Sequence, residues 1–360
     1  MGLALYLAIL HGSNAARAYG RGLGWAHGAR PRPRLSRPQP PRHSPQPSHV
    51  AAPAAPLETA LRPPALDQTL AILKMSRPRT LPQSLALVAI GAYAAERSFS
   101  FLGRPGAAWE LLLVSALVAL TTATSMIVND YYDFVSGVDT ADSQAGRPLV
   151  QGRVSPREVK GALKWLYGAH LGLLLLLRST PLRVCVYANT MATYLYTRHF
   201  KPIPGVKNAL CATVVATTLS LGAAVAKGSF AGGAAAVWPC ALALGCGILH
   251  REMVMDVDDV HGDRAAGVNT LAVILGERGA LWASLLPLGA VAAVLCARGG
   301  PTAALAALPY GVLALLAARA TRFVDTPEAE RKRALALDVE LAPVCILATL
   351  LSVLWSTAHL

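Results

Sequence analysis

From about residue 70 the chain reads as apolar blocks of 16 to 22 residues, separated by short gaps rich in proline, glycine or charge. The blocks fall at 81–96, 107–128, 159–178, 181–197, 207–226, 232–250, 279–297, 302–319 and 336–357, the third and fourth joined by a tight turn around Arg178–Pro181. None alternates with the two-residue period of a membrane barrel. At this hydropathy only helices satisfy the backbone internally, so nine helices are expected. Small residues recur inside the blocks, as at Thr121–Ser125 and Ala231–Ala236, which favours close helix packing. The expected fold class is an all-α polytopic membrane bundle over residues 71–360.

Composition points the same way. Charged residues make up 15% of the chain and hydrophobic ones 54%, where soluble domains run near 25% charged. That balance excludes a soluble enzyme, and its high hydrophobicity excludes disorder of the whole chain. The net charge of +13 is unevenly placed. Residues 1–57 carry seven arginines, nine of the 25 prolines and no acid. Such a stretch matches an organelle transit peptide, so residues 1–70 are expected to be a leader. The alternative is a basic tail that touches anionic lipid or nucleic acid. The leader's Ala/Arg/Pro bias favours a plastid membrane over the mitochondrial inner membrane. In the remaining chain the gaps after even-numbered blocks hold sixteen Lys and Arg against six in the others, a bias that puts the even gaps on the matrix, stromal or cytoplasmic face. No nucleic-acid partner is expected for the bundle. The six cysteines stand singly in apolar stretches and read as small packed hydrophobes.

The acids are concentrated. Of 20 Asp and Glu, nine lie in two short windows: Asp130, Asp133, Asp139 and Asp142, then Glu252, Asp256, Asp258, Asp259 and Asp263. Each window closes an even-numbered block, so both open on the basic face. Charges at a membrane edge are costly unless paired or bound to a cation, and purely structural pairing with arginines is the bland alternative. Asn129, Asp130 and Asp133 share one helical face, and Asp259 and Asp263 stand at i, i+4. Two facing carboxylate pairs would each hold Mg²⁺, a hard cation that takes few protein oxygens and leaves the rest to water and phosphate. Metals so placed would clamp a diphosphate and neutralise charge growing on it as a leaving group, with nearby Arg and Lys as further donors.

These residues resemble the UbiA superfamily of intramembrane prenyltransferases over roughly residues 74–357. The NDxxD-type motif reads Asn129-Asp130-Tyr131-Tyr132-Asp133, and the DxxxD motif reads Asp259-Val260-His261-Gly262-Asp263. Arg147-Pro148-Leu149-Val150-Gln151-Gly152-Arg153-Val154-Ser155 is similar to the family's RPxxxGxxS stretch. The YYDFxxGxD sequence through Asp139 and the Arg77–Pro82 segment resemble the menaquinone branch. Tyr196–Pro202 is similar to the 4-hydroxybenzoate, tocopherol and archaeal-lipid branches.

The resemblance implies a nine-helix bundle that moves a polyprenyl group from its diphosphate to an aromatic quinone precursor, with Mg²⁺ as cofactor. It implies Asp130, Asp133, Asp259 and Asp263 as metal ligands, and Asn129, Arg198, Lys201 and Arg264 as diphosphate contacts. Asp139 and Lys201 are the catalytic candidates, Asp139 as a further ligand or as the group that deprotonates the acceptor. The apolar bundle would hold the isoprenoid tail away from water. Tyr131, Tyr132 and Tyr196 would either face the carbocation or serve as interfacial aromatics. Asp256 and Asp258 are expected in supporting or solvated roles. His250 and His261 are expected to be surface or hydrogen-bonding residues, and Asp325–Arg333 to be a solvated loop. Competing readings are a terpene cyclase of the same fold and a membrane cation or metabolite transporter. A CDP-alcohol phosphotransferase would carry a DGxxAR element, which has no match here.

Overall fold

The computed structural model describes residues 65–200, 203–265, 267–297 and 301–356. The leader assigned to residues 1–70 therefore lies outside the described residues up to position 64, and the helix Ala65–Met75 runs across its expected end. Beyond that peripheral helix, long helices cover every apolar block: α1 (Leu81–Glu96), α2 (Ala107–Val135), α3 (Pro156–Leu176), α4 (Thr180–Leu195), α5 (Val206–Lys227), α6 (Phe230–Asp258), α7 (Leu271–Ala297), α8 (Pro301–Ala320) and α9 (Glu328–Ser356). No strand occurs among the described residues. Five of these helices, α2, α5, α6, α7 and α9, are long and apolar enough to cross a membrane by length and composition. Trp165, Leu286, Leu315 and Trp355 stand exposed on the bundle, as suits a surface solvated by lipid.

Two apolar cores meet at α1 and α5. One unites Val88, Leu113, Leu117, Leu174, Val186 and Leu221 from the first five helices. The other gathers Leu219, Ala243, Leu288, Tyr310 and Leu350, extending the packing through α9. The join is a backbone-to-backbone contact. A Cβ at Gly91 would collide with the Leu219 carbonyl, and one at Gly222 with the Val88 carbonyl. Lipid tails are as apolar as leucine, so helices in a membrane gain from each other through such close fit.

The helices bearing the acid windows outrun their apolar blocks. Helix α2 continues from the expected 128 to Val135, and α6 from 250 to Asp258, so Asn129, Asp130, Asp133 and Asp256 all stand on regular helix. At the end of α6 the side chains sort by face: Val254, Val257 and Val260 enter a third apolar cluster with Ala272, Leu281 and Leu335, which turns Asp258 and Asp259 the other way. The segment Asp325–Arg333 departs from expectation. Helix α9 already begins at Glu328, and the Arg331 side chain is buried at 4% exposure rather than solvated.

Candidate active site

The first acid window is organised by a turn and a capped loop. Gly137, at φ +78°, lets the chain reverse after α2, and the amides of Val138 and Asp139 both donate to the Asp133 carbonyl at 2.9 and 3.0 Å. That turn folds Asp139 back toward its own helix. The motif at 147–155 then acquires a physical reading residue by residue. Gly152 takes φ +68°, Leu149 is buried, and Ser155 caps α3 through a reciprocal pair with Glu158. Fixed at both ends, this loop presents Arg147 to the aspartates. Its Nη1 donates to Asp130 Oδ1 at 2.7 Å and lies 2.8 Å from Asp139 Oδ2.

A second arginine reaches the same carboxylate. Arg77 Nη2 donates to Asp130 Oδ1 at 3.0 Å from a backbone at φ +49°, a left-handed conformation that costs a non-glycine residue on the order of 1 kcal/mol. Both arginines bond Oδ1. Asn129 Nδ2 donates to Asp133 Oδ2 at 2.9 Å, and Lys160 lies 5.6 Å from the centre of the Tyr131 ring. Asp130, Asp133 and Asp139 are all buried. Sequence reasoning placed Asn129, Asp130, Asp133 and Asp139 here but missed Arg77 and Arg147 as their partners. Their partners lie 53 and 17 residues away, so no local pattern revealed them.

The second window is built around buried Asp256. Lys207, in the first turn of α5, ion-pairs with Asp256 Oδ1, and Asn208 Nδ2 donates to Oδ2 at 2.9 Å. This agrees with a supporting role for Asp256 and identifies Lys207 as a site residue that sequence reasoning had counted only among the basic loop positions. Asp259 closes α6 and Asp263 follows on the short helix Val260–Ala265 that turns away from it, Asp259 exposed and Asp263 half-buried. The protein packed around Asp259 raises its carboxyl above the usual aspartate range, and the carboxylates of Asp263 and Asp258 push it the same way. Negative charge is therefore in excess at this turn. Asp258 Oδ1 is buried and accepts no hydrogen bond among the described residues. Arg264 is exposed beside them.

A π-helical turn, Tyr196–Phe200, packs against both α2 and α5. It carries Arg198, whose side chain lies outside the described residues, as does Lys201. Tyr196 is half-buried and hydrogen-bonds the Cys211 thiol; burial raises its hydroxyl pKa.

Hard carboxylate oxygens, an excess of negative charge and an orphaned carboxylate oxygen are the donor chemistry Mg²⁺ requires. Among the described residues no three His, Cys, Asp or Glu side chains close around one point, so the set suits ions held by pairs of carboxylates rather than a complete protein cage. The cysteines form no disulfide.

Fold and side chains together define an all-helical bundle, with helices long and apolar enough to cross a membrane and acid clusters at the ends of two of them. The chain belongs to the UbiA prenyltransferase family, whose model matches residues 84–356. It is 33% identical over 220 residues to the digeranylgeranylglyceryl phosphate synthase of Natronomonas pharaonis, covering 60% of this chain and 73% of that protein. It is 36% identical over 226 residues to the synthase of the same name from Halobacterium salinarum, covering 62% and 75%. Two solved structures share the fold: the apo UbiA homolog from Aeropyrum pernix K1, at a TM-score of 0.54 and 22% identity over 74% of this chain and 95% of that one, and the Archaeoglobus fulgidus homolog bound to DMAPP and Mg²⁺, at 0.54 and 17% over 77% and 99%.

Proposed function

We propose that this chain transfers a polyprenyl group from its diphosphate to a nucleophilic acceptor, with Asp130, Asp133, Asp259 and Asp263 holding Mg²⁺ between the two windows. The observation that carries the reading is a pair of acid clusters at the ends of α2 and α6 in a UbiA-family chain, each with a buried aspartate already paired to a half-buried cation, Asp130 to Arg147 and Asp256 to Lys207. Bound Mg²⁺ would neutralise the charge that grows on the departing diphosphate. Arg77, Arg147 and Lys207 hold aspartates in the structure described. With substrate bound, their N–H groups turn to phosphate oxygens, joined by Arg198, Lys201 and Arg264. The carbon–oxygen bond to diphosphate breaks with its electron pair on the leaving group. The apolar cores exclude water from the allylic cation until the acceptor captures it. Asp139, two bonds of the Arg147 network away from Asp130, takes the proton the acceptor loses.

For the acceptor we favour the hydroxyl of a prenylated glyceryl phosphate lipid, which the names of the N. pharaonis and H. salinarum relatives support. The second reading, an aromatic quinone precursor alkylated at ring carbon, rests on the YYDFxxGxD motif. The organelle address of the leader rests on composition alone, and relatives from these organisms lend it no support.

Full-length chain in liposomes, supplied with geranylgeranyl diphosphate, Mg²⁺ and a mixture of geranylgeranylglyceryl phosphate, 4-hydroxybenzoate and dihydroxynaphthoate, distinguishes these readings by mass spectrometry of the products. The expected product is digeranylgeranylglyceryl phosphate, lost on addition of EDTA. A prenylated ring instead selects the aromatic reading. Diphosphate release with no alkylated acceptor selects a cyclase, and ion flux that survives loss of all four aspartates selects a transporter.

A further inference from the structure

The short segment that carries Asp259 and Asp263 is held at His261 by a buried arginine. Arg331, in the first turn of α9, donates from one nitrogen, Nη1, to Glu277 Oε1 of α7 at 2.6 Å and to His261 Nε2 at 2.9 Å. His261 lies midway between the two aspartates, with its side chain 61% exposed. The same helix faces meet again two turns deeper. Asp338 stands seven residues after Arg331 and Ser284 seven after Glu277. There His250 lies 3.0 Å from both the Ser284 carbonyl and Asp338 Oδ1, and all three residues are fully buried. The deeper layer fixes α6, α7 and α9 in register, and the upper layer extends that register to the acid-bearing turn.

The upper layer is a poor arrangement for stability alone. Arg331 Nε and Nη2 and Glu277 Oε2 are buried and make no hydrogen bond among the described residues. A buried ion pair with unmet donors is often matched or bettered in stability by apolar side chains of similar size. What an apolar pair would lose is the hold on His261.

We propose that Arg331 is a positioning residue for the second aspartate pair: by fastening His261 to Glu277, it fixes the direction in which Asp259 and Asp263 present their oxygens. Groups that orient metal ligands from behind typically contribute 10- to 100-fold in metal affinity. The inference rests on the reading of Asp259 and Asp263 as Mg²⁺ ligands, and its test separates the two. Mg²⁺ is titrated calorimetrically into full-length chain in detergent with inorganic diphosphate present, alongside thermal unfolding of each protein. The variants are D263N, H261A, and R331M combined with E277Q so that no unpaired buried charge remains. D263N removes a ligand and is expected to abolish the tight phase. H261A, at an exposed site whose loss opens no core, and R331M/E277Q are each expected to weaken Mg²⁺ about 10- to 100-fold while unfolding near the wild-type temperature. If D263N weakens binding but both others titrate like wild type, Arg331 only joins helices and the proposal fails. If D263N itself binds like wild type, the metal reading fails and this inference with it.

Discussion

Asp259→Ala is expected to lower prenyl transfer by roughly a thousandfold or more while leaving the protein folded, because several kcal/mol of charge stabilisation at the diphosphate depend on the ion it holds. Asp259 suits this test because its side chain is exposed and enters none of the apolar clusters; the neighbouring Val257 and Val260 anchor the turn instead. Asp130→Ala should be equally inactive but for a mixed reason. Its carboxylate is also the anchor of Arg77 and Arg147, so its removal frees two cations that organise the first window. Steady-state product formation, with thermal unfolding of each variant as the control, checks both. An Asp259→Ala protein that keeps a tenth of wild-type activity would remove this residue from the metal site.

The second large effect lies far from the chemistry. Gly222→Val is expected to destabilise the bundle by about 3 kcal/mol or more, since overpacking where backbone meets backbone leaves no side chain to move aside. The added Cβ would strike the Val88 carbonyl, and α1 would have to part from α5, the helix pair shared by both cores. Gly91→Val should behave alike, through the Leu219 carbonyl. Gly289→Val is the control: nothing lies within contact distance of a Cβ there, and stability should change by only a few tenths of a kcal/mol, in valine's favour if at all, since valine is the slightly better helix former. Recovery of monodisperse protein after detergent extraction, together with the unfolding midpoint, reads the difference. Equal behaviour at positions 222 and 289 would mean that α1 and α5 do not pack as described.

Much of this architecture is legible from hydropathy alone, because a helix in lipid must be an unbroken apolar run. Each block carries a helix over most of its described residues, and the i, i+1, i+4 spacing of Asn129, Asp130 and Asp133 carried the correct inference that they share a helix. What escaped is long-range. Arg77 was visible only as the start of the Arg77–Pro82 segment, Lys207 only as a loop cation, and neither pattern contains the distant aspartate that gives it meaning. Arg331 was misjudged for the same cause. Its neighbours Glu328, Glu330, Lys332 and Arg333 are dense in charge like a solvated surface, and the helix they form does face solvent on most sides. Only the side turned toward α7 and the acid-bearing turn is closed, and that side is set by the packing of Leu335 into the cluster with Val257 and Leu281.

The most direct test is the structure of the full-length chain with Mg²⁺ and a thio-substituted, unreactive geranylgeranyl diphosphate. The proposed arrangement requires oxygens from both aspartate pairs, Asp130 with Asp133 and Asp259 with Asp263, to lie about 2.1 Å from ions that share one diphosphate. A diphosphate held by a single pair, with the other turned away or too distant to reach it, would contradict it.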